Sequence, residues 1–355
     1  MLMTSRSSNE RTIGREAVVR RIFVAFIALM LMPAGGAWAQ TAFKLRASLD
    51  TSATHARTIA VTDFLKQLQD RSGGRIQTEL FHSGALFRDR DVAKALRQGA
   101  VEMAVPGNWV LTSFVSNADI FDLPCLFGQP TGAVYVVADG KAGQMIDDEL
   151  QKKLEVVVLG PWLPLGYNNI YTTAKVVKSF DDLAGMKIRN SGGAGQALRA
   201  RFFGAQPNVT AWPDVPLALS QGTFEGVAST DESLASAKLW ESGIHFGFAD
   251  KEFIGFYIPM LSQSFYSKLP PDLQKLVTDV WRENIAGYRA GMERAQAEAR
   301  KTLEQHGVQF VLPSDQALAA MRARMMPKLD EWAKELRISS AMLDLVKADC
   351  KNTGS

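Results

Sequence analysis

Histidine and cysteine are scarce in this chain of 355 residues, which has four of the first and two of the second. That scarcity removes several kinds of chemistry at once. His55, His82, His245 and His306 lie scattered, without the spacing a metal site needs. No Gly-x-Ser-x-Gly elbow, His-Glu-x-x-His helix or Cys-x-x-Cys pair occurs. The expectation is therefore no catalytic residue, no metal, no cofactor and no enzyme. Ser191-Gly192-Gly193-Ala194-Gly195 begins like a dinucleotide loop, but Leu198 stands where the third glycine belongs. It reads instead as a turn whose helix-terminal N–H groups could help an anion.

Net charge is also missing once the first segment is set aside. Arg6, Arg11, Arg15, Arg20 and Arg21 precede an apolar run from Ile22 to Met32, followed by Ala37-Trp38-Ala39. A charged start, a short apolar core and a small-x-small end describe a secretory signal peptide over residues 1–39, cleaved before Gln40. The apolar run is short for a membrane span, although an uncleaved anchor stays open. Arg20-Arg21 partly mimics a twin-arginine signal, and general secretion is the default. The first 39 residues hold five of the 40 basic and two of the 37 acidic side chains, leaving 35 of each. No basic field remains for nucleic acid or an anionic membrane.

The even cysteine count and an oxidising destination permit a Cys125–Cys350 disulfide. Cys125, inside Leu123-Pro124-Cys125-Leu126-Phe127, reads more simply as a small buried side chain.

What the chain does have is alternation. Strands are expected at 43–48, 75–81, 101–105, 156–159, 167–173, 186–189, 208–211, 225–229 and 253–263. Helices are expected from Thr58, at 89–98, near 133–153, and at 194–204, 213–221 and 231–240. This rhythm implies an α/β layer architecture. Pro270-Pro271 then opens a helix with Leu273, Leu276, Val277, Val280, Trp281, Ile285 and Tyr288 on one face, uninterrupted as far as His306-Gly307. At 1.5 Å per residue it is roughly 50 Å long, enough to brace two lobes. A strand at 308–312 and a last amphipathic helix at 314–336 follow.

The order of these landmarks resembles the solute receptors of tripartite ATP-independent periplasmic (TRAP) transporters, the DctP-like family, over roughly residues 43–336. Ser72-Gly73-Gly74-Arg75-Ile76, Ala95-Leu96-Arg97-Gln98-Gly99 and Asp122-Leu123-Pro124 match family landmarks. The most specific stretch is Asp181-Asp182-Leu183-Ala184-Gly185-Met186-Lys187-Ile188-Arg189. The resemblance implies a two-lobed periplasmic-binding-protein fold with a hinge, a long bracing helix and C-terminal helices. Residues 40–165 with 252–295 would form lobe I, and 166–251 with 296–348 lobe II and the C-terminal helices. It implies capture of a small organic acid by lobe closure, delivery to small and large membrane permease subunits, and a monomer. Arg189 takes the role of the family's carboxylate-binding arginine, which a planar guanidinium fork suits. Asn169 falls where many members carry a second arginine, and Ser229 where many carry an asparagine. That exchange disfavours a second carboxylate. His55, Asp91, Asn108, Trp109, Trp212 and Thr230 are further pocket candidates, each with a plain structural alternative as a helix start, core side chain or cap. A receptor serving an ATP-driven importer or a signalling protein remains a rival, and a secreted enzyme a weaker one.

Overall fold

The computed structural model describes residues 42–352, so the leader, its cleavage point and Arg20-Arg21 lie outside them. The chain builds two sheets. Strands β1 (Phe43–Ser48), β2 (Ile76–Phe81), β3 (Met103–Ala104), β4 (Val156–Val158) and β10 (Met260–Ser262) form the first, in the order β2-β1-β3-β10-β4. The second is β11-β9-β5-β8-β6-β7, from β5 (Leu163–Thr172), β6 (Lys187–Asn190), β7 (Gln206–Val209), β8 (Gly226–Ser229), β9 (Phe246–Tyr257) and β11 (Gln309–Val311). β1 is parallel to β2 and β3, β6 is parallel to β7 and β8, and β5 runs antiparallel to β8 and β9.

The helices are α1 (Ala56–Arg71), α2 (Asp89–Arg97), α3 (Thr131–Asp139), α4 (Lys141–Leu154), α5 (Ala194–Phe202), α6 (Val215–Ser220), α7 (Asp231–Ser236), α8 (Pro271–Gln305), α9 (Asp315–Met325), α10 (Leu329–Glu335) and α11 (Ser340–Asn352), besides shorter turns. In α1 the apolar stripe buries Val61, Phe64, Leu65 and Leu68 while Ile59 stays exposed. Gly73 and Gly74, at φ 63° and 78°, take the left-handed backbone that stops the helix.

Helix α8 runs 35 residues, about 52 Å, and touches both halves. Its first part meets α1, where the Asn284 amide donates to Gln67 Oε1 (3.0 Å) and Tyr288 Oη to Asp63 (2.8 Å). Further on it meets α7, where Arg300 pairs with Asp231 (2.8 Å) and Gln296 Oε1 accepts from Glu232 N (3.1 Å).

Four expectations need correction. The helix near 133–153 is two helices divided at Gly140. Strand β9 starts at Phe246, well before 253, and carries Asp250 and Glu252 buried within it despite their charge. The helix expected at 314–336 breaks at Met326-Pro327-Lys328, since proline supplies no N–H and crowds the preceding turn. Unforeseen α11 then follows. It packs on α3 and α4. Its Cys350 is disulfide-bonded to Cys125 (Cα–Cα 6.1 Å), so Cys125 is a cross-link and not merely a small core side chain.

Candidate functional site

A narrow cavity lies between the two halves. Asp50, Thr51, Asp89, Arg90, Trp109 and Val110 wall it from the first sheet's side. Leu165, Arg189, Ser191, Ala211, Trp212, Ser229, Ser233 and Tyr257 wall it from the second. Most of these residues sit at or just beyond strand ends, where α/β sheets place ligands.

Arg189 is the third residue of β6, flanked by β7 and β8, and its side chain is buried. Nε and Nη2 donate to Thr210 O (3.0 and 2.8 Å), and Nη1 donates to Ser191 Oγ (3.1 Å). The Trp212 ring centre lies 5.2 Å from the guanidinium carbon. One N–H on each terminal nitrogen remains, the pair that two carboxylate oxygens match. Burial lowers the pKa of Arg189 from its ordinary 12.5 to about 10, with Asp50 and Tyr257 acting in the opposite direction.

Two other buried arginines show what a structural arginine looks like here. Arg57 meets Asp50 (2.5 Å) and Asp89 (2.8 Å), donates to Val105 O (2.9 Å), and lies 4.1 Å from the Tyr257 ring centre. Burial opposes its charge, but these partners more than offset that and raise its pKa. Arg199 meets Asp122 (3.0 Å) and Glu252 (3.8 Å). Arg189 has no carboxylate within 4.0 Å among the described residues.

On the opposite wall Asp50 and Asp89 share Arg57. Burial pushes Asp89 up to about 7, against the pull of Arg57. This wall can both accept hydrogen bonds and hold a proton. Thr51, Ser191, Ser229 and Ser233 add hydroxyls to the cavity lining, and Trp109, Trp212 and Tyr257 add rings.

Of the residues expected from sequence, Arg189, Ser229, Trp212 and Trp109 border this cavity. Trp109 is also core: a Cβ at Gly107 or Gly255 would lie 2.2 or 2.6 Å from its ring, so glycine is required at both. Asn169 stands opposite Ser229 in the β5–β8 register but does not border the cavity. Its amide contacts Tyr167 O and Tyr171 Oη (both 3.4 Å), its Oδ1 accepts from Lys251 N (3.1 Å), and it lines a second, larger cavity. The case against a second carboxylate, drawn from Asn169, therefore loses its footing. Asp91 is exposed, and the acid in the cavity is Asp89. Asn108 is a buried brace, bonded to Ala118 O and Phe256 N (both 2.9 Å). Thr230 caps α7 by accepting from Ser233 N (3.3 Å). His55 caps α1 and does not line the cavity.

The glycine loop also reads differently in three dimensions. Asp119, on the 3₁₀ turn Ser116–Asp122, accepts from Gly195 N (3.4 Å) and from the Ala194 amide, so α5's terminal N–H groups already hold a carboxylate. Gly195 is needed because a Cβ there would lie 2.5 Å from Asp122 Cβ.

Sequence reasoning missed Asp50, Thr51, Asp89, Ser191, Ser233 and Tyr257. One signal was available: Asp50-Thr51 directly follows β1, the strand end from which His55 was chosen five residues too late.

A two-sheet molecule with an arginine-bearing cavity between its halves, crossed by one bracing helix, is a solute receptor of the periplasmic-binding-protein type. More particularly, residues 48–335 match the DctP model, bacterial extracellular solute-binding protein family 7, and the chain belongs to that family, the solute receptors of TRAP transporters. Its work is binding for transport, not catalysis. It is 25% identical over 276 residues to a solute-binding protein of Verminephrobacter eiseniae, covering 77% of this chain and 80% of that one. It is 25% identical to the C4-dicarboxylate-binding periplasmic protein DctP of Rhodobacter capsulatus, covering 78% and 82%. In fold it is similar to the sugar acid binding protein DctPAm of Advenella mimigardefordensis, in complex with galactonate (TM-score 0.82, 19% identity, 88% of this chain and 99% of that one). A TRAP periplasmic solute binding protein of Desulfovibrio salexigens with bound orotic acid is similar too (TM-score 0.81, 19% identity, 88% and 99%). Among the described residues no helix is long and apolar enough to cross a membrane.

Proposed function

We propose that this receptor, exported to the periplasm by its cleavable leader, closes as a monomer on a small organic acid and presents it to small and large TRAP permease subunits. Arg189 grips the carboxylate, Trp212 and Trp109 flank the ligand body, and Ser229 with Ser191 offers hydroxyls. The two halves move about the β4–β5 and β9–β10 connections. The observation that carries this reading is Arg189: a buried guanidinium at the cavity, without a protein carboxylate, has its charge best compensated by an anionic ligand. The fold neighbours named with galactonate and orotic acid agree in charge, though not in shape.

The test is a thermal-shift screen of sugar acids, hydroxy acids, aromatic acids and dicarboxylates on the mature protein. Binding stabilises by RT ln(1 + [L]/Kd), so a ligand at about 100 Kd adds about 2.7 kcal/mol. An acid should raise the melting temperature, and its uncharged amide or alcohol should not. Equal stabilisation by the acid and its amide would defeat the assignment.

A further inference from the structure

His55 and Glu232 do not line the cavity, yet they link the halves beside Ser233, which does. His55 ends the loop after β1, in the first sheet. Glu232 begins α7, directly after β8 in the second. Both side chains are buried, His55 completely. Glu232 Oε1 accepts from the backbone N–H of Ala56 (2.8 Å), the first residue of α1, and Oε2 lies 2.7 Å from His55 Nε2. A carboxylate from one half thus accepts from the first N–H of a helix in the other, beside the cap that His55 makes.

The ring's tautomer is set by its neighbours. His55 Nδ1 accepts from Arg57 N (3.0 Å), so in this geometry the ring proton sits on Nε2. That N–H points toward Ser233 Oγ (3.1 Å), and the Glu232 contact is electrostatic rather than a linear hydrogen bond. Ser233 also lines the Arg189 cavity. The same chain of contacts therefore joins cavity wall and interface. A second cross-cleft pair, Arg88 with Asp214, is nearly half exposed on both sides and is screened by solvent.

We infer that Glu232, through His55 and the Ala56 amide, is a positioning residue that latches the two halves shut and sets Ser233 against the ligand. When the halves separate, water replaces these contacts, so the latch biases closure more than it stabilises either half. The inference rests on the closure reading but not on the identity of the acid.

Its test needs no ligand. Ser52 Oγ lies 3.4 Å from Ser236 O across the same interface. In a Ser52→Cys/Ser236→Cys protein, the rate of cross-linking in oxidised glutathione reports how often the halves close. Adding Glu232→Ala should slow cross-linking roughly tenfold to a hundredfold, from loss of one buried charge-assisted hydrogen bond, and leave the ligand-free melting temperature nearly unchanged. Glu232→Gln, which keeps an acceptor for Ala56, should recover part of the rate. Because the rate is read with no acid present, failure of the latch is separated from failure of the carboxylate grip. An unaltered rate with Glu232→Ala overturns the inference. So does a large fall in ligand-free melting temperature, which would make Glu232 a structural residue of one half.

Discussion

Replacing Arg189 by methionine separates a ligand-binding arginine from a structural one, because the two make opposite demands on the ligand-free protein. Holding Arg189 charged at a pKa of about 10 instead of 12.5, at about 1.4 kcal/mol per pH unit, costs the fold about 3 kcal/mol. Arg189→Met removes that cost. It also strands Thr210 O, which accepts two of the arginine's N–H groups, at a penalty of about 1–3 kcal/mol. The two nearly cancel, so ligand-free stability should stay within about 2 kcal/mol of the parent, a few degrees in melting temperature. Arg199→Met serves as the contrast. It leaves Asp122 and Glu252 buried without their cation and should cost about 3–5 kcal/mol. With the acid that stabilises the parent most, Arg189→Met forfeits two charge-assisted hydrogen bonds, about 3–6 kcal/mol, and raises Kd by about 10²–10⁴. Differential scanning fluorimetry with and without that acid reads both effects. The reasoning fails if Arg189→Met melts as low as Arg199→Met without ligand yet keeps the ligand-induced rise.

Two further outcomes follow from buried groups. The Cys125–Cys350 bond closes 225 residues, for which chain entropy alone gives about 5 kcal/mol. Cys350→Ser should melt several degrees lower, and dithiothreitol should lower the parent to the same point without affecting the variant. A parent indifferent to reduction would contradict the cross-link. Burial also raises Asp89, Asp147 and Glu252 to about 7 and Asp122 to about 6. A carboxyl raised in the fold binds its proton more tightly there than in the unfolded chain, where values lie near 4. Its contribution is therefore fullest below about pH 4 and is lost as pH climbs through 6 to 7. The melting temperature should be higher at pH 5 than at pH 8, with a flatter profile for Asp122→Asn. A steady rise from pH 5 to pH 8 would refute this.

The sequence was most legible where the signal is local. Strand β6 and Arg189 lie in one nine-residue frame, and α8 shows its apolar face over several turns. Asp50, Ser191, Ser233 and Tyr257 meet only because separate strands end at one cleft, and no local pattern marks such residues. Asp89 was passed over for Asp91, since nothing before folding shows which first-turn acid of α2 faces Arg57. The start of β9 was hidden by Asp250 and Glu252, charges that read as a loop until Arg199, on a distant helix, is placed beside them. Cys125 and Cys350 are likewise joined by topology, and their spacing carries no signal.

The way the chain weaves between the sheets has a consequence for how such a pocket can change over generations. β5 to β9 form one uninterrupted stretch, residues 163–257, set inside the chain of the other sheet. A recombination that exchanged this stretch would bring a new Arg189, Ser191, Trp212, Ser229 and Ser233 together, and leave Asp50, Asp89 and Trp109 as they were. The two walls of the cavity are thus heritable separately, and a receptor could keep its grip on an acid's carboxylate while acquiring a new preference for the rest of the molecule.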